Sequence, residues 1–124
     1  MVKVQESTSE ELVAAVIEGL QEKKGIEIVK IDLKKIDNTV CKYFVVCNGS
    51  SNTHVSSLAD SVEEYVRENL REKVWHKEGY QNAQWILLDY ADVVVHIFQK
   101  EYRDFYQIEN LWADAKITAV QETE

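Results

Sequence analysis

Apolar residues recur along the chain with two different periods, and the changes of period mark out its elements. Leu12, Ala15, Val16, Gly19 and Leu20 follow the three- and four-residue spacing of one helix face. Thr8 and Glu11 fit a capping box, with the hydroxyl accepting from the first turn and the Glu reaching back. Lys23 and Lys24 suit a last helical turn, and Gly25 suits the left-handed residue that closes it. The first helix is therefore predicted over Ser9 to Lys24. From Ile26 to Leu33 the chain is rich in β-branched residues and alternates between two sets, Ile26, Ile28, Lys30, Asp32 and Glu27, Val29, Ile31, Leu33, which predicts a strand. Lys34 to Thr39 is polar and turn-like. Tyr43 to Cys47 is continuously apolar, as expected of a strand buried on both faces.

After Asn48-Gly49-Ser50-Ser51, the residues Val55, Leu58, Ala59, Val62, Val66 and Leu70 return to helical spacing and predict a second helix to about Arg71. Val74 to Lys77 has the look of a short strand. Gln84 to Leu88 and Val93 to Phe98 predict two strong strands joined at Tyr90-Ala91. Tyr102, Phe105, Tyr106, Glu109 and Trp112 predict a third helix over Glu101 to Ala113. The residues after Ala113 carry no pattern, so an ordered core of about residues 8 to 113 and a loose tail over 114–124 are expected. The order α-β-β-α-(β)-β-β-α implies an α/β fold: a mixed sheet of four or five strands with helices packed on it.

Length and composition narrow the function. At 124 residues the chain is one domain with a core that needs no staples, and its 45% apolar content is ordinary for a globular protein. With 22 acidic against 14 basic side chains the net charge is −8. Such a domain is a poor direct ligand for phosphate backbones, and no direct nucleic-acid readout is expected. It suits a basic protein partner, although charge alone also serves solubility. No basic segment leads into an apolar run, so no secretory signal is expected, and no stretch approaches the ~18 apolar residues of a membrane span. Cys41 and Cys47 flank one extended run and would lie ~20 Å apart, too far for a disulfide. They read as free thiols in a reducing cytoplasm.

The chemical motifs weaken on inspection. Gly49 and Ser50 between a strand and a helix could cradle a phosphate, but the loop has one glycine and no lysine, so a turn glycine before an N-cap serine explains it as well. A nucleotidyltransferase with Gly-Ser here needs paired carboxylates shortly afterwards to hold its metals. Asp60 falls inside the second helix, and Asp89 and Asp92 come about forty residues later around a hairpin. Two oxygens from one turn do not make a metal shell either. Asp92 and His96 would point the same way along a strand, but four residues span ~13 Å, beyond a hydrogen bond. His96 therefore reads as a core histidine. Neither a metal nor a cofactor is expected. Trp85, Leu87 and Asp89 share one face of their strand and Ile86 and Leu88 the other. Either helices cover both faces, or Trp85, Leu87 and Asp89 line an open one, where a large aromatic could anchor a partner.

The run from Trp85 to Phe98, followed by Arg103-x-Phe105-Tyr106-x-Ile108-Glu109-x-Leu111-Trp112, closely resembles the ribosomal silencing factor family, also called Iojap-like. Lys42-Tyr43-Phe44-Val45-Val46-Cys47-Asn48-Gly49-Ser50-Ser51-x-x-His54 fits it too, as does Ile31-Asp32-Leu33 after the first helix. The resemblance covers about residues 8 to 113 and implies a nucleotidyltransferase-like fold without the catalytic carboxylates, hence no enzyme. It implies a partner, protein fourteen of the large ribosomal subunit, and an action: blocking subunit joining and so repressing translation when nutrients are short. Trp85, Leu87, Asp89 and Asp92 are the expected contacts, with Arg103 and Glu109 as further contacts or as orienting charges. Tyr106 and Trp112 are expected mainly in packing. A homodimer of the free protein through the same face is a further expectation. The rival is a nucleotide-binding protein or transferase with residual activity at Gly49, Ser50 and the Asp89/Asp92 pair. Two positions depart from the family. Ala91 stands where members usually have Gly, which implies a longer or differently shaped turn. Thr39-Val40-Cys41-Lys42 stands where an acid is common.

Overall fold

The computed structural model describes residues 7–36, 39, 41–112 and 114–120. The elements run α1 (Ser9–Glu22), β1 (Ile26–Asp32), β2 (Tyr43–Gly49), α2 (Asn52–Leu70), β3 (His76–Glu78), β4 (Trp85–Asp89), β5 (Val93–Gln99), α3 (Lys100–Tyr106), a 3₁₀ turn over Ile108–Trp112, and β6 (Lys116–Ala119). They form one mixed sheet of six strands in the order β3-β4-β5-β2-β1-β6. Only β2 and β5, at its centre, are parallel, with Tyr43 opposite Val93 and Gly49 opposite Gln99. The sixth strand is β6, in the stretch expected to be loose; it pairs antiparallel with β1, Ile31 opposite Ile117. All four of its residues are exposed, so its apolar pattern is too weak to announce it. Val40, Ala113 and residues 121–124, parts of three sequence-based expectations, lie outside the described residues.

α1 begins as its capping box demands: the Thr8 hydroxyl accepts from Glu11 N and the Glu11 carboxylate accepts from Thr8 N. The cap contributes about 1 kcal/mol, whereas each fully buried Leu or Val contributes roughly 1.5–3 kcal/mol, so the cap sets the start and packing sets the face. That face puts Leu12, Val16 and Leu20 against α2 and the sheet. At Gly19 the two helices touch: a Cβ there would stand 3.0 Å from Val62 Cα, and Ser61 Oγ donates to Gly19 O at 2.7 Å. The end of α1 departs from expectation. Gly25 does not take the left-handed conformation; Lys24 does, at φ 60°, while Gly25 N donates to Leu20 O.

The two faces of the sheet are covered unequally. α1 and α2 lie on the face that carries Ile28, Tyr43, Val45, Cys47, Ile86, Leu88, Val93, Val95 and Ile97. The opposite face carries Ile31, Val46 and Phe98, and it is covered by Leu33, Cys41, Tyr102, Ile108 and Trp112. This second cover reaches over β1, β2 and part of β5 and touches β4 at Trp85. The third helix is the main correction. A continuous helix to Ala113 is not formed: α3 ends at Tyr106, Gln107 turns left-handed at φ 44°, and a 3₁₀ turn follows. The phase therefore breaks, and Leu111 beyond it faces solvent (73% exposed), as does Phe105 within α3 (78%).

The β4–β5 connection is a three-residue turn, Tyr90-Ala91-Asp92. Asp89 Oδ1 accepts from Ala91 N at 2.7 Å, and Tyr90 N donates to Val93 O. Ala91 holds φ 73°, a conformation costly for any residue with a Cβ. Ala91→Gly should relieve that strain, less the extra entropy glycine loses on folding, and raise stability by about 0.5–1 kcal/mol. Urea unfolding measures it; an unchanged or lower midpoint would show the turn is not strained.

Candidate functional site

β4 alternates as its sequence dictates: Ile86 and Leu88 are fully buried under the helices, and Trp85, Leu87 and Asp89 are half-buried on the other face. The cover there is partial, between the two arrangements open to the sequence: Tyr106 at the end of α3 touches Trp85, while Leu87 belongs to neither apolar cluster. Trp85 packs on its own sheet and against the end of α3. Its ring stacks on Phe98 at 4.8 Å and 28° and leans on Tyr106 at 5.0 Å. Tyr106, expected in packing, is 47% exposed as well and extends the aromatic surface toward Phe105. Trp112 is half-buried and meets Phe44 edge-on at 5.8 Å.

His96 is a core histidine of an unusual kind. It is 5% exposed, and its Nδ1 accepts the Trp85 indole N–H at 3.1 Å. Its Nε2 is buried without a hydrogen-bond partner. Burial lowers the imidazole pKa to about 4, so at neutral pH the ring is uncharged. The residues around it are aromatic, with Phe44 at 4.7 Å. It does not share a face with Asp92, contrary to expectation. Asp92 lies before the start of β5, and its Oδ2 accepts from Ser9 Oγ at the start of α1, on the helix side of the sheet. Its backbone oxygen takes Lys42 N and Tyr43 N. Asp92 thus ties the turn to α1 and to the entry of β2, while Asp89 braces the turn itself.

Arg103 and Glu109 are brought together, but elsewhere. Arg103 is 7% exposed; it donates to Glu27 O (2.7 Å), Asn48 Oδ1 (2.8 Å) and both oxygens of Glu109 (2.9 and 3.4 Å). This clamp joins α3, the 3₁₀ turn, β1 and the end of β2. Its donors point inward, so the guanidinium organises structure rather than presenting itself on the surface. The six expected contact residues therefore divide among an open face (Trp85, Leu87, Asp89), a turn brace (Asp92) and an internal clamp (Arg103, Glu109). Leu111 escapes the sequence as a surface residue because nothing there marks Gln107 as a break, and Phe105 because its helical spacing with Tyr102 reads as a packed face.

Gly49 and Ser50 close β2 as a tight entry to α2. A Cβ on Gly49 would stand 3.1 Å from Val55, and Ser50 N donates to His54 Nδ1. Ser51 is the N-cap, accepting from His54 N. The loop's amides are thus partly used by its own side chains. Asp92 precedes β5 and Gly49 ends β2; the two strands are parallel, so loop and acid lie at opposite ends of a seven-residue span of ~20 Å. Among the described residues no group of three or more His, Cys, Asp or Glu could hold a metal ion, and no helix is long and apolar enough to cross a membrane. Burial pushes the Cys41 thiol up to about 11 and Cys47 to about 12, away from nucleophilic use.

The family described as "Ribosomal silencing factor during starvation" matches residues 6–124. The chain is 33% identical over 108 residues to "Ribosomal silencing factor RsfS" of Halalkalibacterium halodurans, covering 87% of this chain and 91% of that one. It is 31% identical over 72 residues to a mouse protein named "Mitochondrial assembly of ribosomal large subunit protein 1", covering 56% of this chain and 32% of that one. A crystal structure of a Chromobacterium violaceum protein superposes with a TM-score of 0.81 at 31% identity, covering 95% of this chain and 92% of that one.

The burial of His96 makes stability depend on pH. In the unfolded chain the imidazole titrates near ~6.5 and in the folded chain at about 4, so between these values only the unfolded chain takes the proton. Stability from neutral His96 is complete above the higher value and is lost as pH falls toward the lower. Urea unfolding from neutral to about pH 4 should show a steeper loss for wild type than for His96→Phe. Parallel profiles for the two proteins would contradict it.

Proposed function

The chain belongs to the ribosomal silencing factor family, and from that premise we propose that it binds protein fourteen of the large ribosomal subunit through the open face of β4. Occupying that site keeps the small subunit from joining, and translation falls. The action is steric and needs no turnover. The observation that carries this reading is the half-buried Trp85 beside Leu87 and Asp89, on a face of β4 that is only partly covered. An indole held at the edge of a covered core can lose its remaining contact with water when a partner seats on it, as interface anchors do. The net charge of −8 favours encounter with a basic protein and supports the same partner class. The printed name of the mouse relative, which concerns the large ribosomal subunit, is in line with that partner.

A transferase reading is disfavoured by the separation of Gly49 from Asp92 along the parallel strands and by the use of the loop amides inside the protein. Calorimetry with nucleoside triphosphates and magnesium tests it: micromolar binding with product formation would replace the docking account. Self-association through the β4 face is a competing occupant, read by light scattering of the free protein.

The chain should cosediment with isolated large subunits and lower their joining to small subunits. Trp85→Ala should keep the fold and weaken binding by roughly thirtyfold or more, the loss expected of an interface anchor. Unchanged cosedimentation of a folded Trp85→Ala protein would remove β4 as the docking face.

A further inference from the structure

We propose that His96 is a positioning residue for docking: it fixes the Trp85 indole in the orientation that the partner meets. The inference rests on the β4 face being the docking face. Trp85 stands directly opposite Phe98, and His96 lies opposite Leu87, so His96 is the diagonal neighbour of Trp85. At that offset a long aromatic side chain reaches across the ladder. The indole has one polar atom, Nε1, and His96 Nδ1 accepts from it at 3.1 Å. Phe98 supports the ring from the sheet and Tyr106 from the side. Stacking alone also admits the ring flipped about χ2, with Nε1 on the other side; a directional hydrogen bond selects one orientation.

His96 is itself held. Phe44 meets it edge-on at 4.7 Å, and the ring is 5% exposed. Because Nδ1 accepts, the proton of the neutral ring sits on Nε2, an assignment that follows from the hydrogen bond. That Nε2–H is buried and unpartnered. An orphaned buried donor is destabilising, and an aliphatic side chain in its place would avoid the penalty. What the imidazole supplies and an aliphatic residue cannot is the acceptor for Trp85. An anchor already locked in its bound orientation loses less freedom on binding, so the affinity of the face should depend on His96 although the imidazole is buried.

The test uses the full chain and isolated large ribosomal subunits. The Trp85 indole N–H resonance is assigned by its loss in Trp85→Phe, and its hydrogen exchange is measured in each variant. His96→Phe keeps an apolar ring but removes the acceptor. The indole N–H should exchange at least about tenfold faster and affinity for large subunits should fall about tenfold, with the circular dichroism of the fold retained. His96→Asn, whose Oδ1 can stand near the Nδ1 position, should restore both to within about threefold. If His96→Phe does not fold, His96→Val supplies the same loss of acceptor. Unchanged exchange or unchanged affinity in the acceptor-less variant overturns the proposal, as does His96→Asn behaving like His96→Phe. If Trp85→Ala binds large subunits as wild type does, the docking reading fails and the docking role of His96 goes with it. Faster indole exchange in His96→Phe would then still separate a real His96–Trp85 coupling from a failed one.

Discussion

The parallel register between β2 and β5 fixes where every other element can go. Two adjacent parallel strands require a long crossover, and the chain supplies it as α2, β3 and β4. α2 and α1, in contact through Gly19, close one face of the sheet. β4 then returns on the outside of β5, antiparallel to it, where the second cover of the sheet thins to the contact between Trp85 and Tyr106. The open face follows from this arrangement. A strand has a period of two, so sealing Ile86 and Leu88 under the helices obliges Trp85, Leu87 and Asp89 to point away from them.

Two kinds of polar group hold this frame in register. Arg103 gathers β1, the end of β2 and the 3₁₀ turn at one end of the sheet. Asp92 gathers α1, the entry of β2 and the turn before β5 at the other. Both are candidate contacts on the family resemblance. Their hydrogen bonds run within the fold. For Arg103, near-complete burial makes the distinction sharp, since a guanidinium with its donors satisfied inside has little left to offer a partner.

Much of the fold was legible, and the failures have physical causes. The two long helices and the four central strands follow from strong periodicity over buried positions. The capping box at Thr8 appears as written. α3 was extended too far because Tyr102, Phe105, Tyr106, Glu109 and Trp112 keep helical spacing through a break at Gln107, a residue with no special claim to a left-handed conformation. β6 was missed because an exposed edge strand has no apolar face to betray it. A glycine invites the left-handed closure of α1 at Gly25, while Lys24 takes it. At the site, the separation of Trp85, Leu87 and Asp89 from Ile86 and Leu88 could be read from alternation, but which face lay open could not. That depended on how far α3 and the turn after it extend. The His96–Trp85 bond is a diagonal pairing across strands, invisible without the register.

On the proposed reading, the chain meets the large subunit through β4 and its aromatic surroundings, not through the outer surface of α1 and α2. Hydroxyl-radical footprinting of the full chain, alone and with isolated large subunits, tests it most directly. Trp85, Leu87 and Tyr106 should be oxidised more slowly in the complex, with Tyr65 on α2 unchanged. Protection of Tyr65 with Trp85 and Leu87 unchanged would contradict the account.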